Sequence, residues 1–207
     1  MVIQPLDSAD NKTMREVKRL SQSQVARKKS AETVIEGPHL IEEALAAGLV
    51  PRLVVYSPRW VQRADGRSFM ARLAAHSVRL FYVTDRLFDQ FSQVDTPQGL
   101  LAVIPVPISL ELQTVWDRVA PPYLFPAAVG IQDPGNLGTL IRAALAAGSQ
   151  AFLLGPDTVD PFNPTCIRAS AGAVFRLPLV HLAGEWIATL KDHNVAVRAA
   201  VVDRGVP

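Results

Sequence analysis

Asn136 and Arg142 belong to one run, Asp133-Pro134-Gly135-Asn136-Leu137-Gly138-Thr139-Leu140-Ile141-Arg142-Ala143-Ala144, which follows the apolar stretch Phe125 to Ile131. An apolar run that ends in Asp-Pro-Gly-Asn and opens into an Ala/Leu-rich segment predicts a buried strand, a tight turn and a crossover helix. Ligands of α/β proteins collect at such junctions. Asn136 is expected to cap the helix, and Gly138 to remove a side chain where something approaches the backbone. Arg142 falls one turn further on the same face. These residue types suit an anion. The segment is otherwise apolar from Leu137 to Ala147 with Gly148 as its stop. The helix is therefore expected to be buried on most sides and Arg142 to need a partner. The plainer alternative is an arginine that snorkels to solvent or pairs with a structural carboxylate.

A second constellation runs from Asp160-Pro161-Phe162-Asn163-Pro164-Thr165-Cys166-Ile167 through Arg168-Ala169-Ser170-Ala171-Gly172-Ala173 to Pro178. Prolines fix the loop, Asn163 or Thr165 can cap a short helix, and the free amides there would form an anion-binding end to which Arg168 and Ser170 add donors. Ala169, Ala171, Gly172 and Ala173 leave room for a close approach of backbone. Tight packing of this helix against a neighbouring element or subunit, with Arg168 at the rim, explains the same small residues. Other chemistries find no support. His39, His76, His181, His193 and Cys166 lack metal-ligand spacing, so no metal site is expected. No G-x-G-x-x-G, Walker loop or Ser-His-Asp arrangement is present.

The elements that must position these residues follow from periodicity. Residues 1–11 are expected to be mobile, and Thr13 to Lys29 to form one basic helix. Strand and helix then alternate: Thr33–Ile35, Pro38–Ala47, Arg52–Tyr56, Ser68–His76, Leu80–Val83, Asp85–Phe91 and Leu100–Pro105. Residues 106–122 read as a connector with a short helix near Leu112 to Arg118. A second domain follows: strand Phe125–Gln132, helix Leu137–Ala147, strand Gln150–Leu154, a Pro-rich loop, helix Thr165–Ala171, strand Val174–Val180, helix Glu185–Asp192 and strand Val195–Asp203. The expected division is a basic arm over 1–26, a first α/β domain over 27–105, the linker, and a second α/β domain over 123–207.

At 207 residues the chain has ample length for a core, and its single cysteine fits a reducing, cytoplasmic setting. The first residues lack a signal-peptide pattern and no apolar stretch is long enough to span a bilayer. A net charge of +2 names no partner by itself. Its distribution says more: Lys12, Arg15, Lys18, Arg19, Arg27, Lys28 and Lys29 sit near the N-terminus with Glu16 as the main offset. Polyanions would be drawn there, with Arg27, Lys28 and Lys29 as candidate contacts. Taken alone, the segment is better accounted for by an ordinary solvated helix face or a partly mobile terminal arm.

The two constellations together resemble the SpoU-type RNA ribose 2'-O-methyltransferases of the SPOUT superfamily. Asn136-Leu137-Gly138 with Arg142-Ala143-Ala144 and Gly148 is similar to that family's first motif, and Asp160-Pro161-Phe162-Asn163 through Arg168-Ala169-Ser170-Ala171-Gly172-Ala173 to its second. Ile35-Glu36-Gly37-Pro38-His39-Leu40-Ile41-Glu42-Glu43-Ala44-Leu45 and Thr96 to Val103 resemble its substrate-binding domain, itself like ribosomal RNA-binding proteins. The resemblance covers roughly Arg27 to Asp203. It implies a ribosomal-protein-like domain followed by a SPOUT α/β-knot domain, and methyl transfer from S-adenosylmethionine to a ribose 2'-hydroxyl in a site shared by a homodimer. The dedicated RNA-binding domain implies ribosomal rather than transfer RNA. Arg142 is the family's catalytic arginine by position. Since a guanidinium stays protonated, it is expected to clamp phosphate and oxygen of the target nucleotide. Asn136 would orient Arg142 or the ribose, and Arg168 and Ser170 would hold substrate phosphate. The family pattern continues with a third motif: a Gly-Asn-Glu turn, an Ile-Pro-Met stretch and a Ser-Leu-Asn helix. That motif ties the knot, supplies most cofactor contacts and joins the dimer interface. None of it occurs before Gly205-Val206-Pro207. The last strand is therefore expected to leave an apolar patch uncovered. A second reading, a noncatalytic RNA-binding module acting through the basic helix and the first domain, differs in needing no S-adenosylmethionine.

Overall fold

A computed structural model of the protein describes residues 3–6 and 8–200. Its first unit is a five-stranded mixed sheet of β1 (Ile3–Pro5), β2 (Glu32–Glu36), β3 (Leu53–Tyr56), β4 (Arg79–Tyr82) and β5 (Leu100–Pro105), in the order β1-β4-β3-β5-β2. The β1, β4 and β3 strands run parallel, while β5 lies antiparallel between β3 and β2. Alternation along β2 sends Val34 to one face and Thr33 and Ile35 to the other. On the Val34 face, α1 (Lys12–Gln22) buries Met14, Val17 and Leu20 with Val55, Phe81 and Val103. On the Ile35 face lie α3 (Pro38–Ala46), the single turn α4 (Pro58–Val61) and α5 (Gly66–Ala75).

The second unit has a three-stranded parallel sheet, β6 (Ala127–Ala128), β7 (Phe152–Leu154) and β8 (Leu179–His181), in that order. One face is covered by α8 (Pro134–Ala146) and α9 (Pro164–Ala169), the other by α7 (Leu112–Trp116) and α10 (Trp186–Asp192). Apolar residues on both faces of each short strand are what such a double cover requires. The two units are not separate bodies. Ile35, Leu40, Ile41 and Ala44 belong to the same buried cluster as Leu137, Ile141, Phe162, Ile167 and Val174.

Several elements depart from the sequence reading. Residues 3–5 are not a mobile arm but a strand, since β1 pairs in register with Leu80, Phe81 and Tyr82 of β4 and Leu6 is buried behind it. The basic segment is two helices. Ser23 leaves helical geometry (φ −114°, ψ 115°), and its hydroxyl accepts from Ala26 N at 3.2 Å to start α2 (Gln24–Ser30). The helix expected at Asp85–Phe91 does form, as α6 (Asp85–Asp89), capped by Thr84. Val174–Val180 is not one strand: Ala173–Phe175 is a 3-10 turn, and only Leu179–His181 pairs with β7. The strand expected from Val195 takes no strand conformation over 195–200, and residues 201–203 lie outside those described. Apolar composition marks burial, but a strand also needs a neighbour to receive its hydrogen bonds.

Candidate active-site surface

The turn into α8 is built by Asp133, not Asn136. The Asp133 carboxylate accepts from Asn136 N at 2.6 Å, and Pro134 fills the first helical position. Asn136 is thereby released from capping and stands exposed in the first turn. Gly138 is buried, and what approaches its backbone is α9. A Cβ at this position would lie 2.4 Å from Cys166 O, 2.8 Å from Ala169 Cβ and 2.9 Å from Ser170 N. The glycine therefore lets the two motif helices touch backbone to backbone.

Arg142 follows one turn later, about 40° round the helix from Gly138. It reaches the rim of that contact and is exposed, against the expectation of a mostly buried helix. Only Leu137, Gly138, Ile141 and Ala144 of α8 are buried, whereas Leu140 is 43% exposed and Ala143 is exposed beside it. Among the described residues no carboxylate lies within ion-pair distance of the Arg142 guanidinium. Its donors are free for a ligand.

The second motif is anchored from the other unit. Arg27 is 3% exposed, so it is not the RNA-facing residue expected from its place in the basic run. Its Nε donates to Asp160 Oδ2 at 2.7 Å, and Nη1 donates to Leu20 O at 2.8 Å. Asp160 Oδ1 accepts from Phe162 N at 2.9 Å, and Thr33 Oγ1 donates to Phe162 O at 2.8 Å. Asn163 then caps α9 by accepting from Thr165 N at 2.9 Å. Ser170 is also withdrawn from any phosphate role, because it is wholly buried and its hydroxyl donates to Ile167 O at 2.8 Å. The small residues beyond it serve packing: Gly172 (φ +82°) lets the chain turn against Glu43 of α3, whose Cβ would be 2.8 Å from an added Cβ. Burial and the Asp160 charge push the Cys166 thiol up to about 12, which keeps it protonated and inert.

Arg168 does face open space. It is half-buried, donates only a 3.3 Å bond to Thr165 Oγ1, and lines a cleft of about 290 Å³ between the two units. The opposite wall is Gly37, His39, Thr96 and Gln98. Glu36, the acid of that wall, is occupied by Ser92 Oγ at 2.7 Å and Gln93 N at 3.1 Å. Gly37 has φ +96° and open space around its missing Cβ, so its backbone is exposed to whatever enters. All four wall residues fall in the two stretches that resemble the family's substrate-binding domain, but neither stretch tells that they face Arg168; topology assembles them. Lys28 and Lys29 are exposed on α2, and Lys28 lines a different cleft of about 450 Å³ at the carboxyl ends of β7 and β8, beside His181. Among the described residues no cluster of His, Cys, Asp or Glu could hold a metal ion, and no helix is long and apolar enough to cross a membrane.

This arrangement recurs in known proteins. Residues 11–102 match the MRM3-like substrate binding domain, and residues 124–205 match the SpoU rRNA Methylase family. The chain is 30% identical over 204 residues to the 23S rRNA (guanosine(2553)-2'-O)-methyltransferase RlmP of Bacillus subtilis, covering 98% of this chain and 75% of that protein. It is 33% identical over 195 residues to the mitochondrial rRNA methyltransferase 3A of Danio rerio, covering 93% of this chain and 43% of that one. Among solved structures, an RNA 2'-O ribose methyltransferase superposes with a TM-score of 0.76 at 30% identity, over 92% of this chain and 70% of that one. The AdoMet-bound rRNA methyltransferase from Sinorhizobium meliloti shares the fold, with a TM-score of 0.76 at 24% identity over 92% and 69%. The two motif helices pressed together at Gly138, the docked first unit and the 30% identity to RlmP over almost the whole chain place this protein in the SpoU rRNA methylase family.

Proposed function

We propose that this protein acts as an S-adenosylmethionine-dependent RNA 2'-O-methyltransferase, with ribosomal RNA as substrate and a homodimer as the working form. The observation that carries the reading is the exposed, unpaired Arg142 at the rim of the α8–α9 contact. A ribose 2'-hydroxyl is a weak nucleophile until its proton is drawn away and its oxygen is held in line with the methyl group. Positioning and electrostatics must therefore supply most of the acceleration. The Arg142 guanidinium cannot serve as a base at neutral pH, but its fork can hold a phosphate oxygen and the 2'-oxygen together. The proton then passes to that phosphate or to a water. Asn136 lies about 9 Å earlier along the helix axis, and helical side chains lean toward the N-terminus. Asn136 also lies about 120° round the helix from Arg142, so its amide is assigned to orienting the ribose at the start of the helix rather than to a joint grip with the guanidinium. Arg168, across the inter-unit cleft, takes a flanking phosphate, while Lys28 and Lys29 add charge at the surface.

S-adenosylmethionine, when bound, supplies an electrophilic methyl on sulfur. The cleft at the carboxyl ends of β7 and β8 has the position that parallel sheets give their ligands. Its lining includes Lys28, His181 and Leu154 but neither Arg142 nor Asn136 of the same chain, so a methyl donor held there would need the Arg142 of a second copy beside it. No step is therefore assigned to the described residues through the cofactor. The exposed Leu140 and Ala143 on α8, beside Arg142, support a second copy covering that face.

The test is Arg142→Lys, which keeps the charge and loses the fork. Transfer of labelled methyl to ribosomal RNA should fall about 100-fold or more, with RNA affinity within about threefold of the parent. Turnover near the parent level would overturn the clamp. Absence of methyl transfer by the unaltered protein would overturn the enzymatic reading.

A further inference from the structure

The active-site surface offers few charges for a polyanion, whereas the molecule is strongly polarised elsewhere. Residues 12–30 carry seven cations against Glu16, a balance of +6 in a chain whose total is +2, so the remainder is −4. Glu16 is also drawn away, since its carboxylate accepts from Arg52 Nη2 at 2.9 Å. Arg15, Lys18, Arg19 and Gln22 follow one another at i, i+3, i+4 and i+7, which sets them along one face of α1. All four are exposed. This face forms one wall of a groove of about 610 Å³ whose other wall is Gln90 and the half-buried ring of Phe91, at the end of α6. The single carboxylate in its lining, Asp10, forms no ion pair among the described residues. The groove lies on the Val34 side of the five-stranded sheet, while α8 and α9 pack on the Ile35 side.

Resting on the reading of RNA as substrate, we propose that the groove between α1 and Phe91 is a second RNA-docking surface, which grips a single-stranded segment remote from the target ribose. Arg15, Lys18 and Arg19 neutralise successive phosphates, an unpaired base stacks on Phe91, and Gln22 and Gln90 offer amides to its edge. Cationic side chains beside an aromatic platform are the pairing that holds single strands without reading every base. Most of the affinity for RNA then comes from this remote surface, and the binding energy gained there places the target nucleotide under Arg142.

The experiment measures binding of a fluorescein-labelled single-stranded RNA of about a dozen nucleotides, by anisotropy, across a salt series. The variants are Arg15→Gln/Lys18→Gln/Arg19→Gln and, separately, Phe91→Leu, each checked by thermal melting. The triple variant should lower the slope of log affinity against log salt by about 2, at roughly 0.7 per phosphate contact. Phe91→Leu should weaken binding roughly tenfold with the slope unchanged. An unaltered slope in the folded triple variant overturns the groove proposal while RNA binding itself stands. A parent protein that binds no RNA at any salt overturns both the groove and the substrate reading.

Discussion

The Arg27–Asp160 ion pair, 2.7 Å long with both side chains buried, fixes the second motif to the first unit. Arg27 sits in a run of lysines and looks like a phosphate contact, yet it is buried; Arg142 sits in an apolar helix and looks buried, yet it is exposed. Local composition cannot decide such cases because the partner that matters is remote: Asp160 lies 133 residues from Arg27. A buried guanidinium held by one carboxylate and two backbone carbonyls is costly to orphan. Asp160→Ala should therefore destabilise the fold by about 3–5 kcal/mol in urea denaturation. The paired Arg27→Met/Asp160→Leu replacement should recover much of that loss, because no charge is left without its partner. A double variant as unstable as the single one would mean that the backbone contacts of Arg27 and the Phe162 N–H hydrogen bond to Asp160, not the ion pair, carry the stabilisation. Asn136, Arg142 and Arg168 were legible as candidates from residue type and spacing, and all three face solvent or a cleft. The withdrawal of Ser170 was not legible, because its hydroxyl bond to Ile167 depends on where the short helix ends.

Helices and strands were readable to different degrees for a physical reason. The periodicity that marks α3, α5 and α8 is intrinsic to each segment, as are the caps at Thr84 and Asn163. Strand extent depends on the neighbour, so the long apolar run before α8 contributes only Ala127–Ala128 to a ladder. The break at Ser23 was hidden because serine is tolerated within a helix and its capping role appears only in the chain that turns there. Contact between α8 and α9 is the element-scale feature on which the site depends, and Gly138 controls it. In an isolated helix Gly138→Ala would stabilise by about 1 kcal/mol. Here the added methyl meets Cys166 O and Ser170 N, which are backbone atoms that cannot rotate aside. We expect a net destabilisation of about 1–3 kcal/mol, read as a lower urea midpoint. A stabilised Gly138→Ala protein would show that α8 and α9 can part without cost.

At the scale of the whole molecule, two units that the sequence separates by a connector share one core. The cluster that holds Trp60 and Phe69 of the first unit also holds Phe152 and Phe175 of the second, and Arg27–Asp160 and Thr33–Phe162 tie its edge. Connector composition predicts independent bodies, whereas burial continuous across the seam predicts one cooperative transition. The three tryptophans divide usefully: Trp60 reports the shared core, while Trp116 and Trp186 report the far face of the small sheet. In the Trp60→Phe protein and in the Trp116→Phe/Trp186→Phe protein, the fluorescence midpoint in urea should coincide with that variant's own circular-dichroism midpoint. His181 adds a pH signature at the seam. Although His181 keeps an exposed edge, partial desolvation first, and the nearby Lys28 charge second, hold its pKa below the usual 6.5, with Asp160 opposing them. Above pH 6.5 the ring is neutral in both folded and unfolded chains and contributes nothing. As pH falls through 6.5 the unfolded chain takes the proton first, so stability declines until the lower folded pKa is passed. His181→Gln should remove that part of the decline, and both fluorescence probes should move together with pH because the seam belongs to a single core. Separate midpoints, or a pH response confined to the Trp116 and Trp186 signal, would mean that the units unfold independently and that the cleft holding Arg168 can open without loss of either fold.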